Sequence, residues 1–582
     1  MRGARRLLPL LALAAAACLP MGGASSSRAA ASPASVARFD WFEYTGRDSV
    51  YRAVRAGAGE FLNPILAGFY PDPSITRVGE DYYLVTSTFT YFPGIPIFHS
   101  RDLVNWTQIG NAIHRPSQLR FDSLGTSRGV FAPTIEHHLG TYYVANTCVG
   151  CGGNFIVTAT NPRGPWSDPI WLPDVEGIDP ALFFDDDGRA WLINNRAPAG
   201  PPRYEGHRAI WIQEYDVATR RMKGPSTMLV DGGVDPSTKP IWIEGPHIYK
   251  VDGKYYLNAA EGGTAVQHSQ VILRADSLLG PYRPGPANPI LTQRHLPRDR
   301  PFPIEATGHA DFVRTPAGEW WAIFLASRPY TEDYHNTGRE TFLLPVRWQN
   351  GWPTILTGDA AVPYVHRRPN LPAQPAPAIP THGNFTVREE FDGPELAPHW
   401  LMIRTPRERW HDFTSSPGAL TLRARPVSLA AMGQPTFVGR RQQHLRATAS
   451  TVMRYAPAKA GDKAGLTAYM TDDNHYLMAV TLAGGRPTIQ LERRFRRAGA
   501  PADGGATTVV ASAPLPGAPG APLHLRVDAN DGRYSFFYAT EPDRWIALAE
   551  NVDGRILSTR EAGGFGGNFV GVLFGLHAYA AP

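Results

Sequence analysis

One local pattern recurs five times in this chain and restricts its fold more than any other feature. Gly79-Glu80-Asp81-Tyr82-Tyr83-Leu84 is a tight turn feeding an aromatic strand. The same unit returns at Leu139-Gly140-Thr141-Tyr142-Tyr143-Val144, Asp187-Gly188-Arg189-Ala190-Trp191-Leu192, Asp252-Gly253-Lys254-Tyr255-Tyr256-Leu257 and Ala317-Gly318-Glu319-Trp320-Trp321-Ala322. Glycine supplies the positive φ that a two-residue hairpin loop demands, and aromatic or β-branched residues favour the strand after it. The glycines are separated by 61, 48, 65 and 65 residues. Hairpins repeated at that interval predict an all-β chain with a five-bladed β-propeller, each blade of about four strands around a channel.

The residues ahead of each hairpin point to chemistry. Nine positions before the later glycines stand Phe131, Asp179, Glu244 and His309, and Asp72 lies seven before the first. Each blade would thus open its inner strand with a conspicuous residue near the axis. A single Asp-Pro or Glu-Gly-Pro reads most simply as a turn. Three carboxylates in phase with a repeat, at Asp72, Asp179 and Glu244, read as a site. Asp72 sits in Gly68-Phe69-Tyr70-Pro71-Asp72-Pro73-Ser74, where flanking prolines fix the backbone and remove amide donors.

With 582 residues the chain exceeds a single core, so more than one domain is expected. The first 31 residues read as a signal peptide: arginines, an apolar run from Leu7 to Ala17, then small residues. Cys18 after Ala15-Ala16-Ala17 weakly resembles a lipid-anchor site. Arg2, Arg5, Arg6 and Arg28 all fall in this leader, which holds no acids, so removing it takes the formal charge from +5 to +1. Nucleic acid is therefore not an implied partner, and no later run is apolar for the ~20 residues of a membrane span. An exported protein, secreted, periplasmic or cell-surface, is expected.

Residues 32–60 form an aromatic arm around Phe39-Asp40-Trp41-Phe42-Glu43-Tyr44, expected to pack on the propeller of residues 61–363. A proline-rich linker occupies 364–382, and residues 383–582 carry short alternating stretches that predict a β-sandwich. Pro- and Gly-rich residues 498–521 read as a long surface loop. Cys148 and Cys151 lack the second pair a zinc site needs. The sequence leaves a small-loop disulfide and two free thiols both open.

Taken together, GFYPDPS (68–74), STFTYFPGIPIFHSRDLVNW (87–106), GIDPALFFDDDG (177–188), IEGPHIYK (243–250) and GRETFLLPV (338–346) resemble glycoside hydrolase family 43. The similarity is to its β-xylosidase and α-L-arabinofuranosidase members with a C-terminal, concanavalin-like sandwich, and it runs from Phe39 onward. The resemblance implies Asp72 as general base, Glu244 as general acid, and Asp179 as the acid that tunes and orients Glu244. It places Phe89, Phe131 and Arg339 around the terminal sugar, and His309 beside a metal ion, commonly calcium, on the propeller axis. Many relatives have Trp where this chain has Phe131. No organic cofactor is implied.

The implied activity is exo-acting, inverting release of terminal xylose or arabinofuranose from xylan- or arabinan-type oligosaccharides of plant walls. Inverting glycosidases hold acid and base about 6.5–9.5 Å apart, with water between. Neighbouring acids raise each other's proton affinity, which would keep Glu244 protonated near neutral pH beside an ionised Asp179. Two other readings compete. A β-fructosidase shares the architecture but opens on an Asn-Asp-Pro-Asn type motif, where this chain has Tyr-Pro-Asp-Pro. A non-catalytic carbohydrate-binding protein would not need all three acids.

Overall fold

A computed structural model describes residues 35–501, 504–563 and 568–582. The leader and Cys18 lie outside the described residues. Residues 35–582 form one compact unit. Among the described residues, no helix is long and apolar enough to cross a membrane.

Five antiparallel sheets follow one another through the first half of the chain, each a meander of at least four strands. Their first strands are Ser74–Val78, Thr134–His138, Ile178–Phe184, Glu244–Val251 and Glu305–Arg314. Every predicted hairpin forms at its glycine, with φ of 64° at Gly79, 79° at Gly140, 83° at Gly188, 72° at Gly253 and 90° at Gly318. The expected two-residue loop is found at Gly79, Gly140 and Gly253 only, the connections at Gly188 and Gly318 being five residues long.

The first strands neighbour one another in a closed ring, and buried hydrogen bonds stitch it. Ser74 Oγ and the Ile75 amide donate to Asp311 at 2.8 and 2.9 Å, joining the first sheet to the fifth. The Ile135 amide donates to Ser74 Oγ at 3.1 Å, and Thr134 Oγ1 to the Pro180 carbonyl at 2.8 Å. Tyr249 Oη donates to Asp311 at 2.6 Å, linking the fourth sheet to the fifth. Asp311 thus satisfies donors from two neighbouring sheets at once.

The C-terminal half packs a six-stranded sheet against an eight-stranded one. Within residues 32–60 only the aromatic stretch departs from the expected arm on the propeller, while Asp48 and Tyr51 do meet propeller residues, Arg328 and Asn63. The strand Val36–Gly46 lies inside the eight-stranded sheet and pairs with Arg446–Arg454 from Arg38↔Arg454 to Gly46↔Ala447. Phe39, Phe42 and Tyr44 are fully buried beneath it. An alternating strand with one apolar face can serve any sheet that buries that face. Here it is paired on both sides within the sandwich, with Leu420–Arg423 and Thr386–Glu389 on one side and Arg446–Arg454 on the other. Residues 498–521 also differ from the expected loop. Ala506–Pro514 is an edge strand pairing with Arg486–Phe495, as its β-branched Thr-Thr-Val-Val run permits. The linker lies along the first sheet, where Arg368 Nη2 reaches Asp102 at 2.5 Å.

The two halves share one hydrophobic core, running from Val85 and Phe89 to Phe437, Tyr469 and Phe574. Arg328 is buried at their junction, paired with Asp48 at 2.7 Å and Glu340 at 2.6 Å. Arg441 of the sandwich donates to the Phe69 carbonyl at 2.6 Å, next to the segment that carries Asp72.

Candidate active site

The first strands deliver their phased residues to one end of the ring, into a cavity of about 420 Å³. Its lining includes all seven sequence-predicted residues: Asp72, Phe89, Phe131, Asp179, Glu244, His309 and Arg339. The backbone is bent to present them. Asp72, Phe89, Asp179, Trp242 and His309 all adopt positive φ, between 52° and 56°. Each such non-glycine conformation costs about 1–3 kcal/mol, and such residues cluster where a site is held rigid. The pairing register also slips between Ile178 and Ala181, between Glu244 and His247, and on both sides of Gly308. Pro180 and Pro246 fall in two of these slips, where no ladder amide is needed.

The three acids are buried, at 5%, 3% and 7% exposure for Asp72, Asp179 and Glu244, yet their surroundings differ sharply. Burial opposes charge on Asp72, but several groups together outweigh it, led by Arg339 with Nη1 at 2.8 Å and Nη2 at 3.3 Å. Ser87 Oγ donates a further hydrogen bond at 2.5 Å. Asp72 is therefore held below the usual carboxylate range. Asp179 is pushed up to about 7, first by burial and then by the charge of Asp72, against one hydrogen bond at 3.1 Å from the Gly245 amide. Glu244 is raised well above the ordinary range by burial, then by Asp179 and Asp72. The arrangement favours the anion at Asp72 and the protonated form at Glu244.

His309 lies flat against Gly245, where an added Cβ would fall 2.8 Å from the ring; this explains the glycine after Glu244. Its Nδ1 is 4.0 Å from Asp72. Burial lowers it to about 4, so the imidazole is neutral at neutral pH. Calcium takes about six to eight oxygen ligands. His309 offers one imidazole, and the Asp72 oxygens are already engaged by Arg339 and Ser87. Among the described residues no group of three or more His, Cys, Asp or Glu is disposed to hold a metal ion. The side chains present do not fit a calcium cage, and no step below passes through a metal.

An aromatic wall completes the pocket. Phe89 stacks on Phe569 at 5.7 Å and meets Phe131 edge-on at 5.4 Å. Arg339 lies 5.4 Å over the Phe569 ring. Phe569 belongs to the sandwich, so the second domain supplies part of the pocket. Nothing in the sequence singled it out beyond its place after Asn568 in a Gly-rich stretch. Also in the lining, Arg208 stacks 5.0 Å from Trp242, with Nε donating to Asn195 at 2.9 Å. Neither residue stands at a repeat position. Val149, between Cys148 and Cys151, also lines the pocket, and the two cysteines form a disulfide.

Known proteins resemble this chain along most of its length. The family described as Glycosyl hydrolases family 43 matches residues 61–353, and the Beta xylosidase C-terminal Concanavalin A-like domain matches 388–581. A Xylosidase/arabinosidase of Butyrivibrio fibrisolvens is 37% identical over 520 residues, covering 89% of this chain and 95% of the relative. A non-reducing end alpha-L-arabinofuranosidase of Bacteroides ovatus is 36% identical over 519 residues, covering 88% and 90%. The crystal structure of a GH43_12 protein retrieved from a capybara gut metagenome superposes with a TM-score of 0.86 at 39% identity, covering 94% of this chain and all of that one. With the family model over residues 61–353, the Concanavalin A-like domain over 388–581 and relatives 36–37% identical along most of its length, this chain belongs to glycoside hydrolase family 43 and is a glycosidase.

Proposed function

We propose that the enzyme removes terminal xylose or arabinofuranose from plant-wall xylan- or arabinan-type oligosaccharides, with inversion at the anomeric carbon. The observation that carries this reading is the contrast between two buried carboxyls of one pocket, Asp72 bonded to Arg339 and Ser87 and Glu244 beside the other two acids. Asp72, kept anionic by Arg339 and Ser87, takes a proton from water as that water attacks the anomeric carbon. Glu244, kept protonated by burial and by Asp179, gives its proton to the departing glycosidic oxygen. Asp179 holds its place through the Gly245 amide and sets the proton affinity of Glu244. Phe89, Phe131 and Phe569 offer apolar faces to the terminal sugar, and Arg339 adds donors for its hydroxyls. Relatives named for xylosidase and for arabinofuranosidase activity support both pentoses. The leader-like first residues and the Cys148–Cys151 disulfide support an exported protein.

Nitrophenyl β-xyloside and α-arabinofuranoside, assayed side by side, identify the pentose. Glu244→Ala then tests the acid. Loss of a positioned proton donor costs about 10²–10⁴-fold, and a disaccharide, with its poor leaving group, should bear that loss in full while the nitrophenyl glycoside loses far less. Equal losses on both would remove Glu244 from the role of acid.

A further inference from the structure

The outer face of the eight-stranded sheet carries a second cavity, of about 470 Å³, sharing no residue with the catalytic pocket. We propose that it is a second binding site, for a neutral pentosan chain. Its floor follows from strand alternation. Phe42 and Tyr44 point into the core, so Trp41, Glu43 and Thr45 face outward. Register then sets Arg388 and Ser450 opposite Glu43, Thr448 opposite Thr45, and Arg526 opposite Ser450. The result is a continuous row of hydroxyl, carboxylate and guanidinium groups across the sheet.

Two indoles bound the trough. Trp41 stands at one side, with the Arg388 guanidinium 4.0 Å from its ring. On the other side the turn after the strand Arg533–Ala539 brings Pro542, Asp543 and Trp545 over the sheet. Arg526 is held between Phe537 at 4.3 Å and Trp545 at 4.8 Å. These cation–π contacts fix the rings before any ligand arrives, which reduces the ordering cost of binding. Arg526 Nε is a buried donor with no partner among the described residues.

The chemistry selects the ligand. Arg47, Arg388 and Arg526 are nearly balanced by Glu43 and Asp543, so the trough does not favour a polyanion. Mixed donors and acceptors suit vicinal hydroxyls, and the C–H faces of sugar rings lie on the negative faces of indoles. Its volume falls within the roughly 300–1,000 Å³ of small-ligand sites. The site goes beyond the catalytic reading, which contributes only the choice of a pentose-based chain: a polymer held here would be kept near the pocket that trims its ends.

Native-gel affinity electrophoresis of the full chain tests the proposal. Gels contain soluble neutral xylan, soluble arabinan or sulphated dextran, with saturating free xylose and arabinose keeping the catalytic pocket filled. The wild type should be retarded by xylan or arabinan and not by the polyanion. Trp545→Ala, on an exposed turn, should weaken retention at least tenfold, and Trp41→Ala with Trp545→Ala should abolish it. Both variants should keep kcat/KM on nitrophenyl pentosides within about twofold, which also shows that they fold. Equal retention of wild type and Trp545→Ala, preference for the sulphated polymer, or no retention of wild type would overturn the site. Absence of nitrophenyl activity in the wild type would count instead against the catalytic reading.

Discussion

Ser87 offers the cleanest perturbation of the proposed base, because it is fully buried behind Asp72 and does not line the pocket. Its hydroxyl donates to Asp72 Oδ2 at 2.5 Å. A hydrogen bond to a charged group is worth about 1.5–3 kcal/mol, and one pKa unit corresponds to about 1.36 kcal/mol. Ser87→Ala should therefore move the acid limb of the kcat/KM profile upward by about 1–2 pH units. The alkaline limb, set by Glu244, should stay in place. Stability gives a second reading with a fixed sign. The folded-state pKa of Asp72 is depressed, so its contribution is present above the unfolded value and is lost as pH falls through the folded one. The variant should lose about 1.5–3 kcal/mol near neutral pH and converge on the wild type in acid. Nitrophenyl-glycoside kinetics from pH 3 to 9, with denaturant melts at each end, read both effects. An unmoved acid limb, or movement of the alkaline limb instead, would refute Asp72 as the group that must be ionised.

Two further substitutions address the other walls of the site. Asp179→Asn removes one of the charges that raise Glu244, so the alkaline limb of kcat/KM should shift to lower pH; an upward shift or none would contradict the coupling. Phe569→Ala opens the aromatic wall from the sandwich side and should raise KM about tenfold, about 1.4 kcal/mol, with a smaller change in kcat. Unchanged KM would mean that the second domain does not meet the sugar.

The acids were legible in the sequence because they share the period of the repeat. A hairpin glycine needs positive φ at a known place, and the strand before it must start a fixed distance upstream. Asp179, Glu244 and His309 could therefore be found by counting from Gly188, Gly253 and Gly318. What escaped lies off that period. Phe569 reaches the pocket only because the sandwich docks on the ring, a contact with no local signal. Strand Val36–Gly46 was recognised as aromatic but assigned to the wrong neighbour, since Phe42 meets Thr451 across some 400 residues of chain. Alternation says which face is buried, not what buries it. Ser87 looked like one more hydroxyl in a Ser-Thr-Phe-Thr run, and only the ring places it on Asp72.

The roles proposed for Asp72 and Glu244 stand or fall on the stereochemistry of the first product. Proton NMR of a nitrophenyl β-D-xyloside digest, recorded before mutarotation, resolves the two anomeric doublets. Single displacement by water held at Asp72 gives α-xylose first, with the β anomer growing in later at the mutarotation rate. If the substrate is instead the α-L-arabinofuranoside, the β anomer should appear first. A first-formed sugar that retains the substrate's configuration would require a covalent glycosyl-enzyme intermediate, and Asp72 would then be a nucleophile rather than a base.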